Sequence, residues 1–290
     1  MAIDFKKLGK QAVETGADMT KVVTGEGGDY VPPAEGPCRL RFVGYIETGR
    51  HESTYKGEKK TAAKAYALFE VSGPKHPVRD GQDGVKYPCA IAVVKLTVSR
   101  HEKATMVKLF NILNHAGKAS SFFELLGEPY LGTIRHRKYK YKDGGEGVAI
   151  ELTNEDGVLQ IRAPSFPDPE TGELRHVNVD PALTPLKGFM WDFADKEQWD
   201  SIFIDGMSEP RKDKDGKEVA PARSKNKWQN EIKSAINYKG SPAFLLAGGV
   251  AADDLGTDDY EDSESDAPAT PAAPVTPTGD AADDALSGVV

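Results

Sequence analysis

The sequence predicts a mainly β protein with appended helices, and three observations carry that expectation. Segments with a hydrophobic period of two recur between Cys38 and Thr153, clusters of Gly, Pro, Asn and Asp separate them, and stretches with helical spacing are few and short.

Residues 1–37 begin with FKKLGKQAVETGADM, where Phe5, Leu8, Ala12 and Val13 predict one weak amphipathic helix. The GEGGDYVPPAEGP that follows contains four glycines and three prolines and reads as a linker. From Cys38 to Thr48, Leu40, Phe42 and Ile46 alternate with Arg39, Arg41 and Tyr45, as in a half-buried strand whose second set faces outward. RHESTYKGEKKT reads as a basic loop. Lys64 to Ser72 is a second strand, with Phe69 and Val71 opposite Lys64, Tyr66 and Leu68. After the turn signals GPKHP and DGQDG, the β-branched run Ala90 to Ser99 is a third.

Ala104, Val107, Leu109, Phe110 and Leu113 recur at threes and fours as a helix, and Ser120 to Leu126 forms a short helical turn. Tyr130 to Lys142 and Val148 to Thr153 are strands joined by a DGGEG hairpin. Val158 to Ala163 and Leu174 to Val179 suggest a further hairpin. Phe189, Met190, Trp191, Phe193, Trp199, Ile202 and Phe203 mark a helical segment assigned to the core. Ser224 is the expected N-cap of a last helix, with Trp228, Ile232, Ala235 and Ile236 on one face.

The order strand, strand, strand, helix, strand, strand is that of a five-stranded OB-fold barrel, here with insertions. The expected organisation is an N-terminal helix and linker at 1–37, an OB core at 38–156, an elaboration of hairpin and helices at 157–247, and an acidic tail at 248–290. The tail's Pro, Ala and Thr run has little to bury and is expected to be disordered.

The formal net charge of -8 averages two regions of opposite character. From Ala252 to Val290 there are eleven acids and no Lys or Arg, which leaves 37 basic against 34 acidic residues elsewhere. The body is mildly cationic and the tail is a polyanion, an asymmetry that suggests a nucleic-acid partner. No apolar run is long enough to span a membrane, and MAIDFKKLGK lacks the apolar core of a secretory signal, so a cytoplasmic protein is expected. Cys38 and Cys89 stand far apart with no metal-ligand spacing, which predicts no disulfide framework, metal or cofactor.

No enzyme signature is visible. GKAS at Gly117 to Ser120 resembles a phosphate loop, but Ile112 occupies the position of its first glycine. There is no GxSxG, and the six histidines never adopt ligand spacing or sit beside a nucleophile, so no catalytic residue is assigned.

The strongest local signal is RHRKYKYK. Its Arg135, Arg137, Lys138, Tyr139, Lys140, Tyr141 and Lys142 combine charge for phosphates with π faces for unstacked bases. A strand charged on both faces must project as an edge or a long hairpin. Aggregation protection of an edge strand, or a localisation-type basic patch, is the competing reading. Arg39, Arg41 and Tyr45 on the first strand, Arg50, Tyr55, Lys56, Lys59 and Lys60 in the next loop, and Lys64 and Tyr66 on the second strand complete the expected DNA-binding set. In an OB barrel these places form the cleft.

PPAEGPCRLRFVGYIETGRHE, SGPKHP, RHRKYK, DPETGELRHV and WDFADKEQWDSIFIDG to KGSPA resemble single-stranded-DNA-binding proteins of tailed bacteriophages, over most of residues 30–246. The resemblance implies an OB fold that coats single-stranded DNA during phage replication or recombination in the host cytoplasm. It also implies a tail, here residues 253–290, that contacts phage or host replication proteins. Such tails commonly finish on an aromatic residue, whereas this one ends ALSGVV. The function expected is sequence-independent single-stranded-DNA binding, with the tail competing for the cleft. The alternatives are a non-enzymatic protein-interaction or virion-associated protein, and an RNA-binding protein, since nothing in these residues reads a 2′-hydroxyl.

Overall fold

The computed structural model describes residues 32–249, except 56–57, 82–83, 141–145, 209 and 213–215. The expected N-terminal helix, most of the linker and the acidic tail lie outside the described residues. From Pro33 onward the described chain belongs to one compact unit.

The fold is mainly β, as the alternation implies, and a large antiparallel sheet organises it. Its strands are β1 (Gly36–Tyr55), β2 (Glu58–Ser72), β5 (Ala90–Thr97), β6 (Pro129–Lys140) and β7 (Glu146–Glu151), in the spatial order β5-β2-β1-β6-β7. The short β3 (Arg79–Asp80) and β4 (Lys86–Tyr87) pair with each other between β2 and β5. Between β5 and β6 come helix α1 (Thr105–Leu113) and a 3-10 turn, Phe122–Leu125, capped by Ser121. The ends of the order, β5 and β7, approach each other and curl the sheet around a core.

That core takes Leu40, Phe42 and Tyr45 from β1, Ala65, Ala67, Phe69 and Val71 from β2, and Ala92, Val94 and Leu96 from β5. Leu109, Leu113, Phe122 and Tyr130 close it, and Tyr130 donates its hydroxyl to the Leu113 carbonyl at 3.0 Å. Its formation buries apolar surface from every long strand, at about 25 cal/mol per Å².

The outward face of β1 and β2 is also buried. Val43 and Ile46 of β1 and Leu68 of β2 enter a second core with Phe189, Trp199, Ile202, Trp228, Ile232, Tyr238 and Ala243. These come from β11 (Lys187–Phe189), which pairs parallel to β1, from α2 (Lys196–Ser201), α3 (Lys227–Lys233) and α4 (Pro242–Leu246), and, for Ile202 and Tyr238, from the residues just after α2 and between α3 and α4. Glu70, 4% exposed, holds the preceding loop down by accepting the Leu183 and Thr184 backbone N–H groups.

Several expectations are corrected. The register of β1 on β2 shifts between Phe42 and Gly44, so Val43 is an inserted residue and the alternation changes phase. Tyr45 therefore points into the first core and Ile46 into the second, the reverse of strict alternation. RHESTYKGEKKT is no loop: β1 and β2 continue as a paired ribbon from Arg50↔Ala63 to Tyr55↔Glu58. The proposed late hairpin is not formed as drawn. β8 (Ile161–Arg162) pairs with β6, and β10 (Leu174–His176) pairs with β9 (Ser165–Pro167). The last short ladder joins β12 (Arg211–Lys212) to β13 (Glu218–Ala220). Asn226 rather than Ser224 occupies the N-cap position of α3, without a side-chain capping bond, and Ile236 lies beyond the helix, 62% exposed. Phe193, 76% exposed, and Phe203 are not core residues.

Candidate nucleic-acid interface

Two ribbons carry the cations. Ile134 is the last residue of β6 to pair with β1, opposite Gly36, and from Arg135 onward β6 pairs with β7 alone. Arg135–Lys140 and Glu146–Glu151 thus extend past the start of β1. The β1–β2 ribbon extends past its other end, because β5 pairs with β2 only from Lys64. Since β1 and β6 are antiparallel, the ribbons leave the sheet at opposite ends of β1. The expected single cluster of basic residues is therefore two separate arms.

On the β6–β7 arm, register sets Arg135, Arg137 and Tyr139 on one face and His136, Lys138 and Lys140 on the other. Arg135 and Arg137 both bind the carboxylate of Glu151 opposite, Arg137 through Nε at 2.5 Å, and Arg135 also donates to the Thr153 carbonyl at 3.2 Å. The one carboxylate offsets one of their two positive charges within the arm. Tyr139 lies over Gly147, where a Cβ would come within 2.4 Å of the ring, so the missing side chain makes room for the phenol. Lys138 and Lys140 are exposed and form no ion pair with any described residue. Tyr141 and Lys142 lie outside the described residues. The root of the arm is fixed by Glu35, which accepts the His136 backbone N–H at 2.6 Å, and by His136 Nε2 against the Pro33 carbonyl.

On the β1–β2 arm, Lys59 pairs with Glu52 at 2.7 Å and Lys60 lies 3.8 Å from Glu58, all at exposed positions where such pairs are worth about 0–1 kcal/mol. They remain open to a stronger anion. Lys56 and the Tyr55 side chain lie outside the described residues. Arg50 is exposed, and its backbone is braced from the C-terminal layer: its N–H donates to Asn237 Oδ1 and its carbonyl accepts from the Ile236 N–H, both at 2.8 Å.

Three expected contact residues are withdrawn from solvent. Tyr45 is 2% exposed, its ring stacked 4.5 Å from Phe122 and its hydroxyl donated to Glu47. Burial, with the Glu47 charge added, holds that phenol above its ordinary pKa. Arg41 is satisfied by the carbonyls of Gly127, Val179 and Asp180 and ties β1 to two loops. Tyr66 packs 5.1 Å from Trp228 and donates its hydroxyl to Glu231. Arg39 is half-buried beside Gly73. The middle of the outward sheet face, the presumed cleft, is covered by the second core.

What stays open on that face is a cleft of about 490 Å³ at the foot of the β1–β2 arm. Arg50, Lys64, Thr61 and Val98 line it together with Trp191, Asp192 and Asn237. The sequence reading missed the last three as site residues; it placed Trp191 in the core, and the half-buried ring does pack against the second core while also lining the cleft. The one signal available was that Asp192 breaks the apolar run Phe189-Met190-Trp191 directly after the indole. Among the described residues no group of acids, histidines and cysteines fits a metal ion, and no helix is long and apolar enough to cross a membrane. Comparison with models of known families, with curated proteins and with solved structures finds no match.

Proposed function

We propose that the protein binds single-stranded DNA without sequence preference, gripping its backbone with the two cationic arms. The observation that carries this reading is the placement of the arms at opposite ends of β1, where exposed Lys138 and Lys140 and exposed Lys59, Lys60 and Arg50 reach a chain from two sides. A flexible polyanion can follow such a path, and a duplex, stiff over about 150 base pairs, fits it poorly. The strand order β5-β2-β1-β6-β7, with a helix between the third and fourth long strands, supports reading the sheet as an OB barrel, a fold whose loops serve this purpose.

Affinity then comes from counterion release, falling with salt by a log-log slope of about 0.7 per neutralised phosphate on single strands. The acidic run from Asp253 to Asp284 is a competing polyanion, and a handle for replication partners. A gel-shift across a salt series, with oligonucleotides of unrelated sequence as single-stranded DNA, duplex and RNA, tests the reading. Single-stranded DNA is expected to bind tightest with a steep salt slope. Binding to none of them removes the proposal, and preference for RNA reassigns the ligand. Deleting residues 252–290 is expected to tighten binding, most at low salt where screening is weakest. Unchanged or weaker binding by the truncated chain excludes competition by the tail.

A further inference from the structure

We infer that the cleft at the foot of the β1–β2 arm holds one nucleotide of the bound strand, its base against Trp191 and its phosphate between Arg50 and Lys64. The inference rests on the reading of the protein as a single-stranded-DNA binder and assigns a specific pocket within it. At about 490 Å³ the cleft lies within the range of small-ligand sites, roughly 300–1,000 Å³.

The lining divides by chemistry. Lys64 stands opposite Gly49 in the β1–β2 register, and Gly49 has a φ of +85° and no side chain. The Trp191 ring comes so close there that a Cβ would lie 2.4 Å from its edge. Glycine at this position thus lets an aromatic wall stand directly beside a lysine. Arg50 follows in sequence, and neither its guanidinium nor the Lys64 ammonium pairs with any described residue. Two cations that form no ion pair with a described residue, beside an indole and in a cleft rather than on a convex surface, suit an anion joined to a flat ring.

The acids present sharpen that reading. Glu47 is already engaged, accepting the Tyr45 hydroxyl at 2.9 Å and the Trp191 backbone N–H at 2.9 Å, so it positions the indole. Asp192 lines the cleft next to the ring and is exposed. Its charge turns a phosphate away from the Trp191 side and toward Arg50 and Lys64, which orients the nucleotide. Asn237 accepts the Arg50 N–H through its carbonyl oxygen, leaving its NH2 as a donor for a base edge or sugar.

Tryptophan emission tests the assignment directly. Of the three tryptophans, Trp199 and Trp228 are 7% and 5% exposed, and Trp191 alone lines the cleft. The full chain is titrated with an end-labelled oligothymidylate at low salt, following label anisotropy for binding and protein emission for contact with an indole. Wild type is expected to bind with quenched emission, and Trp191→Phe to bind without the quench. Trp191→Ala should lose about ten-fold or more, as expected for removal of one stacked base. Arg50→Ala and Lys64→Ala, which break no side-chain hydrogen bond or ion pair with a described residue, should each weaken binding and flatten the salt dependence. Binding without any quench in wild type, or a quench that survives in Trp191→Phe, overturns the nucleotide site and leaves the arms as the interface. Absence of anisotropy change in wild type overturns this inference together with the reading beneath it.

Discussion

Arg135 and Arg137 share one carboxylate, and that pairing separates them from the lysines beside them in sequence. Glu151 lies directly opposite Arg135, and both guanidinium groups reach it, with Thr153 taking a further Nε–H. A phosphate approaching this face must compete with a half-buried acid, whereas one approaching Lys138 or Lys140 displaces only water and counterions. The double variant Lys138→Ala/Lys140→Ala should therefore lower the salt slope by about 1.4, two phosphates' worth on a single strand. Arg135→Ala/Arg137→Ala should alter the slope less and lower the unfolding midpoint more, since it leaves Glu151 without its partners. Salt-dependent binding and urea unfolding of both variants check this, and an equal fall in slope for the two pairs contradicts it.

At the scale of elements, the strands that pack on a core announced themselves, and those that bury nothing did not. β2 and β5 keep a strict alternation because Phe69, Val71, Val94 and Leu96 all meet the same core. The arm from Arg50 to Ala63 has no core beneath it, so no hydrophobic period marks it, and its pairing rests on backbone ladders and exposed contacts such as Glu52 to Lys59. It reads as a loop for that reason. The bulge at Val43 was invisible because Val43 and Tyr45 are both good strand residues, and only the partner strand fixes which of them points inward. The second core depends on segments well over a hundred residues apart, β1 and α3, so Trp199 inside it and Phe193 outside it have the same sequence signature. The candidate site divides likewise. Its cations were legible from composition, while their partners, and the contribution of Trp191, come from register and long-range packing.

For the molecule as a whole, the first core sets a limit at alkaline pH. Cys38, Tyr45 and Tyr130 all lie in it, and burial raises each of them: the Cys38 thiol from 9.0 to about 12, and both phenols well above 10.0. Each group is neutral in the folded protein and ionises at its ordinary value once the chain unfolds. Between the two values the folded state holds the extra proton, so stability falls as pH rises, by about 1.4 kcal/mol per pH unit for each group. The loss begins near pH 9 with Cys38 and steepens above pH 10 as the two tyrosines join it; below pH 9 these groups leave stability unchanged. Urea midpoints should thus hold steady up to that point and then drop. The absorbance of Tyr45 and Tyr130 as tyrosinate should appear together with unfolding rather than along a simple titration near pH 10. Tyrosinate from Tyr45→Phe and Tyr130→Phe chains, compared with wild type, isolates the two. If wild type shows their ionisation at pH 10 while its circular dichroism stays native, the core around β1 is open to water and the packing of Tyr45 against Phe122 does not hold in solution.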